Sequence, residues 1–375
     1  MNAIKVFTKR AISLIVFISI FFPKISFAAG PENDEGFNAG EMILHHIYDA
    51  HEWHLFDWPI TINDTIDLPD GTKEIQEKKS KIPVSIPLPI ILFHKDKGLS
   101  VFMSSKFNHG HDSHEGYKYD HGKIYCLDDS GEIDINQTAE VWDFSITKNV
   151  FSLFFSIFLL MGLFITISRR YQKNKNQAPS GIQSLLEPII IFVRDDIAKS
   201  AIGEKNYGKY LPFLLTVFFF IFLNNLLGLV PFFPGGANLT GNIAVPMVLA
   251  SIVFIITTLS GTKYYWKHIF AMPGVPKPVL LILTPIEIFG VLLKPLVLMI
   301  RLFANITAGH IIILSFFSLI FIFGEMHPVA GFGVSIFSGL FALFMMTLEL
   351  LVAFLQAYVF TLLAAMYFGM AVEEH

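Results

Sequence analysis

From Val279 to Phe323 the chain runs for about 45 residues with almost no break in apolar character. As one straight helix at 1.5 Å per residue that run measures about 67 Å, roughly twice the hydrocarbon thickness of a bilayer. An upright spanning helix has no room for it. The run must be a hairpin, a broken helix or a steeply tilted one. Pro285 and Pro295 interrupt its ladder of backbone hydrogen bonds. A second overlong run, Val334 to Met370, comes after the turn at Gly324 to Pro328. That turn holds Glu325 and His327 but no Lys or Arg, which favours the non-cytoplasmic side.

Composition places the whole chain in the same class. Of 375 residues, 53% are hydrophobic and only 15% charged, too apolar a balance for a soluble protein. Three shorter apolar runs, Val150 to Ile167, Leu211 to Val230 and Ile243 to Leu259, each fit one crossing. Between the first two lie Arg169, Arg170, Lys173, Lys175, Arg194, Lys199, Lys205 and Lys209, whereas the loop from Pro231 to Asn242 has no charge. The positive-inside rule therefore puts the basic segment in the cytoplasm. Lys263, Lys267 and Lys277 then fall on that side again, as alternation demands. The expected fold is an all-α polytopic membrane protein with about five crossing helices. The last two are long, kinked and strongly tilted, and Val372 to His375 return to the cytoplasm. No internal repeat is visible, which weighs against transporters built from inverted halves.

Ahead of the spans the chain is different. Lys5, Lys9 and Arg10, an apolar stretch from Ala11 to Phe22, and the small residues Ser26 and Ala28 form a signal-peptide pattern over residues 1–28. An uncleaved anchor is the alternative; either one exports the polar region after it. Residues 29–148 are polar and mixed, and are expected outside the membrane, with residues 149–375 forming the membrane domain. Within the exported region a small β-rich, His-rich insert is expected at about 59–140. Its strands fall in Lys81 to Met103, and Asp64 to Lys81 and Lys106 to Gly122 read as loops. His109, His111 and His114 offer imidazoles to a metal, although exposed histidines without a rigid scaffold are usually just solvated. His51-Glu52-Trp53-His54 lacks the full spacing of zinc proteases. The single cysteine, Cys126, excludes a disulfide within one copy. No Gly-x-x-x-x-Gly-Lys-Ser/Thr loop exists, so nucleotide chemistry belongs elsewhere, and neither a cofactor nor a nucleic-acid partner is expected.

Ionisable groups inside a span cost at least a few kcal/mol each, so each one is a functional candidate. The long run holds Glu287, Lys294, Arg301 and His310 with the amide Asn305; the final run holds Glu349 and Gln356. At 100° per residue Glu287, Lys294, Arg301 and Asn305 lie within about 40° of one line, and His310 points to the opposite side. Glu349 and Gln356 share a face. Arginine stays charged and so cannot relay protons by titrating, but it attracts a carboxylate and deters a leak. Histidine and glutamate can relay them. The alternatives are snorkelling for Lys294 and Arg301 and interhelical hydrogen bonding for Asn305 and Gln356.

These residues also carry a family likeness. Lys294-Pro295 followed by Arg301-Leu302-Phe303-Ala304-Asn305-Ile306-Thr307-Ala308-Gly309-His310 closely resembles the signature of subunit a of rotary ATP synthases. Leu355-Gln356-Ala357-Tyr358-Val359-Phe360, the closing Glu373-Glu374-His375, Asn224-Asn225-Leu226-Leu227-Gly228-Leu229-Val230-Pro231 and Ile43-Leu44-His45-His46 extend the resemblance over about 42–58 and 142–375. The signal segment and the insert lie outside it. The resemblance implies a proton-translocating stator subunit, not an enzyme by itself. Its partners are then the c-subunit rotor ring, peripheral-stalk b subunits, the rest of the ATP synthase and membrane lipid. Its place is a bacterial inner membrane, with the N-terminal region periplasmic and the C-terminus cytoplasmic. Arg301 matches the arginine that faces the rotor carboxylates and separates two half-channels. Asn305, His310, Glu349 and Gln356 match polar positions of the exported-side half-channel. Many bacterial members carry Glu in place of His310 and His in place of Glu349, so the pair is exchanged here. The competing readings are an anion transporter using Arg301, a membrane metalloprotein using the exported histidines, and an assembly scaffold.

Overall fold

The computed structural model describes residues 38–40, 43, 48–67, 73–110, 112–120, 122–128, 130–173, 178–230, 233–272 and 274–373. The expected signal segment at 1–28 and His111 lie outside the described residues.

Among the described residues, seven helices account for the membrane part. They are α1 (Lys148–Lys173), α2 (Ile182–Phe192), α3 (Tyr207–Leu229), α4 (Ala244–Ser260), α5 (Lys263–Phe270), α6 (Lys277–Met326) and α7 (Pro328–Val372). Helix α2 runs on through a π-helical stretch, Val193–Lys199, to Ile202. There Arg194 grips Asp195 through Nε and Nη2 at 2.9 and 2.7 Å, and Lys199 adds a third contact at 2.9 Å. The two cations hold the Asp195 carboxyl well below the usual carboxylate range. Helices α1, α3, α6 and α7 are long and apolar enough to cross a bilayer, and a fifth crossing results if α4 and α5, bent by 104°, form one span. The protein is an all-α polytopic membrane protein with a small β-rich insert near its N-terminus.

Helices α6 and α7 hold 50 and 45 residues, about 75 and 68 Å of helix, so both exceed an upright crossing. Neither Pro285 nor Pro295 ends α6. What ends it is the local chemistry at His327. Its imidazole Nδ1 accepts from Val329 N at 3.2 Å, and Pro328, lacking a donor that would go unused there, opens α7. The two helices fold back on each other. A Cβ on Gly331 would come within 2.7 Å of Gly324 Cα, the Phe316 and Phe341 rings are 3.9 Å apart, and Lys294 Nζ lies 5.4 Å from the Tyr367 ring centre. Those pairs fix an antiparallel register along the whole hairpin.

Helix α3 completes the core. Tyr210 stacks on Phe368 at 4.9 Å, and Phe218 and Phe222 meet Phe354 edge-on at 5.9 and 5.7 Å. Leu298 and Leu302 of α6 and Phe360 and Ala364 of α7 are buried with them. Gly369 brings α7 against the end of α2, where a methyl group would strike the Ala201 carbonyl. The outer faces stay apolar and uncovered, as at Phe158, Leu281, Phe289 and Leu340, which suits contact with lipid tails.

The β-rich region contains β1 (Glu52–Asp67) and β2 (Lys73–Pro87), paired with each other. Residues 57–84 fall in one compact unit and residues 38–56 and 85–373 in another. In the second unit β3 (Pro89–His94) lies between β4 (Gly98–Met103) and β8 (Val141–Asp143), so that Phe93 faces Leu99 on one side and Trp142 on the other. Strands β5 (Ser113–His114), β6 (Tyr117–Asp120) and β7 (Lys123–Cys126) form another antiparallel sheet. Ile90, Leu92, Phe107, Tyr117, Ile124 and Cys126 are packed between these elements. Two segments expected as loops are corrected here. Residues 64–67 and 73–81 are strand, and Lys106 to Gly122 holds a 3-10 turn (Ser104–Gly110) with β5 and β6. The sequence of β2 is rich in Lys and Glu and lacks apolar alternation, so the backbone ladder that forms it leaves little trace in residue type.

The part of this β module that lies in the second unit sits on α1 through a dense joint. Lys148 N donates to Ala50 O at 2.9 Å and Asn149 N to Asp49 Oδ1 at 3.0 Å. Buried Trp53 meets Phe151 and Phe233 edge-on at 5.7 and 5.3 Å. His51 Nε2 is 3.3 Å from Asp143 Oδ2, and Ser145 N donates to Asp143 Oδ1 at 2.8 Å. Burial pushes the Asp143 carboxyl up, but the hydrogen bonds from His51 and Ser145 outweigh it and leave it below its usual value.

Candidate functional site

The seven polar candidates divide between two sides of α6. Leu298, Leu302 and Ile306, spaced four apart, turn into the protein and are at most 5% exposed. That rotation turns Arg301 and Asn305 outward, together with Ala304 and Ala308. Arg301 forms no ion pair among the described residues. Its face is framed by small side chains and is left uncovered by the described residues. Glu287 and Lys294 precede it on the same helix and are half-buried, with the Lys294 ammonium over the Tyr367 ring.

His310 comes after Arg301 by about half a turn of the helix wheel and looks the other way. Its Nε2 lies 3.8 Å from the place a Cβ on Gly228, near the end of α3, would occupy. Next to it Gly309 provides a seat for Glu349 of α7. The Glu349 Cδ and Cγ lie 3.0 and 3.2 Å from where a Cβ on Gly309 would be, and the carboxylate oxygen sits closer still. Glu349 is only 6% exposed, and neither carboxylate oxygen has a hydrogen-bond partner among the described residues. Gln356, two helical turns further along α7, is buried on the same side. The structure thus brings His310, Glu349 and Gln356 to the inner side of the α6–α7 hairpin. It leaves Asn305 with Arg301 on the outer side.

Two residues join this inner group that spacing alone did not single out as site residues. Asn225 Nδ2 donates to Ala353 O at 3.3 Å, while its Oδ1 accepts from Thr240 Oγ1 at 2.8 Å. Asn225 therefore ties α3 to α7 one turn from Glu349 and to the α3–α4 loop. Its sequence signal is an amide pair, Asn224-Asn225, inside an otherwise apolar span and within one of the motifs that carry the family likeness. Chemically, the inner group offers a carboxyl and an imidazole, both able to exchange protons, lined by amides and a hydroxyl. The outer face offers a permanent cation.

The histidines of the β module are arranged differently. His109 Nδ1 contacts Glu52 Oε1 at 2.9 Å, and His114 packs edge-on against Phe102 at 4.9 Å, with its Nε2 3.8 Å from Glu115. His94, Asp96 and Glu140 do bring one possible ligand atom each within 4.8 Å of one another. However, His94 Nδ1 accepts from Asp96 N and Lys97 N at 3.1 and 3.3 Å. A neutral imidazole has one such lone pair, so Nε2 carries the proton and the group does not fit a metal as it stands.

Comparison with known proteins gives two family matches. Residues 150–369 match the family described as ATP synthase A chain, and residues 42–144 match a domain of unknown function (DUF8433). Among individual relatives, the "ATP synthase subunit a" of Chloroherpeton thalassium is 42% identical over 62% of this chain and 69% of its own length. "ATP synthase subunit a 2" of Prosthecochloris aestuarii is 43% identical over 66% of this chain and 75% of its own. "ATP synthase subunit a" of Myxococcus xanthus is 42% identical over 61% and 74%.

Proposed function

We propose a proton path for this chain, which belongs to the ATP synthase A chain family and so takes the proton-translocating stator part in an ATP synthase. In this reading Arg301 faces the carboxylates of the c-subunit rotor ring and separates two half-channels. The uncovered face around Arg301, with Ala304 and Ala308 beside it, is where a ring helix approaches. The guanidinium meets a rotor carboxylate as an ion pair and, because it holds its proton at any working pH, blocks direct passage between the half-channels. His310, Glu349 and Gln356 form the exported-side half-channel. From there a proton passes around α6 to the Arg301 face, where Asn305, the fourth polar position of that half-channel, hydrogen-bonds along the path and the rotor carboxylate takes the proton. Glu287 and Lys294 extend the polar line towards the other side. The exchange of His310 and Glu349 relative to many bacterial members keeps one acid and one imidazole in the set and so keeps the relay.

The single observation that carries this reading is the division of labour across one helix. The permanent cation Arg301 is turned outward, His310 lies about 180° round the same helix, and Glu349 of α7 packs against Gly309 beside it. Peripheral-stalk b subunits hold the chain still while the ring turns, and ATP chemistry takes place on other subunits. The chain resides in a bacterial inner membrane. Residues 1–28 direct export, 29–148 lie in the periplasm, 149–375 form the membrane domain, and the C-terminus is cytoplasmic. The basic residues between α1 and α3 support that orientation. The experiment is ATP-driven proton pumping in inverted vesicles carrying the assembled complex, with Arg301→Ala against the native chain. Pumping is expected to vanish while the complex stays assembled. Full pumping in the variant removes Arg301 from the mechanism.

A further inference from the structure

Proline inside a helix leaves the carbonyl four residues earlier without its donor, and in a membrane that carbonyl must find another partner. Pro295 does this to Val291, in the middle of α6 and a turn and a half before Arg301. Val291 packs against the buried cluster of Tyr265, Ile269 and Ala371, and Val291 and Tyr265 both line a cavity of about 10 Å³ together with Thr257, Lys294, Pro295 and Tyr367. Tyr265 is 9% exposed, and its hydroxyl has no hydrogen-bond partner among the described residues. The cavity therefore joins an orphaned hydroxyl to a residue whose carbonyl has lost its donor.

The volume decides what fits. About 10 Å³ is close to the least that holds one water molecule and too little for any ion with its shell or for an organic ligand. A water also needs two to four polar partners, and the residues around this largely apolar cavity carry that number of polar groups. Tyr265 both donates and accepts. The Val291 carbonyl accepts. Thr257, whose hydrogen is given to Val253 O at 2.7 Å, keeps its oxygen free to accept, and the Lys294 ammonium donates.

We propose that one water molecule is bound in this cavity as a strut between the Tyr265 hydroxyl and the Val291 carbonyl. It replaces the hydrogen bond that Pro295 removes and fastens α6 at its weakest point to α5. Tyr265 is then a positioning residue. By bracing the break, it fixes the rotation of the succeeding turns, and hence the direction in which Arg301 points. The water site stands on the cavity alone; its effect on Arg301 rests on the proton path proposed above.

The test uses the assembled complex. High-resolution density should place a water within hydrogen-bond distance of Tyr265 Oη and Val291 O, and Tyr265→Phe, which keeps the ring and removes only the hydroxyl, should abolish it. In that variant amide exchange over Lys294 to Arg301 should rise several-fold while subunit composition stays the same. A dry cavity in the native complex, or unchanged exchange in Tyr265→Phe, overturns the proposal. Arg301→Ala should leave the water in place, so that failure of the proton path and failure of the strut are read separately.

Discussion

A methyl group at position 309 would occupy the space that the Glu349 carboxylate fills, so what a side chain there displaces is the Glu349 head group and not backbone. Gly309→Ala must push α7 away or turn Glu349 out of its seat. Overpacking of this kind costs about 1–3 kcal/mol, and here the displaced group belongs to the proposed relay. The variant should lower both the denaturation midpoint of the purified complex and its pumping rate. A variant that pumps normally at native stability would show that Glu349 need not sit at Gly309. Part of this arrangement was legible from numbering alone: positions 301 and 305 share a line, and 310 lies opposite, whatever the helix packs against. The Gly309 seat and the Asn225 tie were not legible. Both depend on how far α7 slides along α6 and where α3 ends, and neither is a property of one segment.

At the level of elements, apolar runs gave each long helix to within six residues at either end of its observed span. Most of the observed helices run further because polar residues continue the helical backbone beyond the apolar run, as from Ser168 to Lys173 of α1. The β module was harder to read, since β1 and β2 are held by backbone pairing and carry no clear alternation. Its joint to α1 makes two predictions. Trp53 is 4% exposed between Phe151 and Phe233, so Trp53→Ala should weaken the docking by roughly 3–5 kcal/mol. Limited proteolysis should then cut near Lys148 in the variant before it cuts the native protein, and equal rates would rule the contact out as an anchor. Asp143 supplies the second. Its folded-state carboxyl lies below its unfolded value, so its stabilising effect is present above about pH 3.9 and drains away as pH falls through the lower, folded value. Tryptophan emission from Trp53 and Trp142, tracked as the protein is acidified, should report loosening in that window. Asp143→Asn should flatten this response; identical acid curves for both proteins would sink the assignment.

On the scale of the whole molecule, the chain reaches the β module and leaves it at neighbouring points. Lys148 bonds to Ala50 and Asn149 to Asp49, across about a hundred residues of sequence. The two family matches also part company between residues 144 and 150, at this joint. A chain in which Ala50 is linked to Lys148 by a few glycines should therefore still insert and assemble, because the ends to be joined are already in contact. Co-purification with the other subunits measures this, and loss of assembly would mean that the module is needed to build the complex. If the shortened chain assembles, the module behaves as a cassette. Lineages can gain, lose or exchange such a piece at a single genetic junction, changing what the complex presents beyond the membrane while the rotary machinery beneath keeps its own pace of evolution.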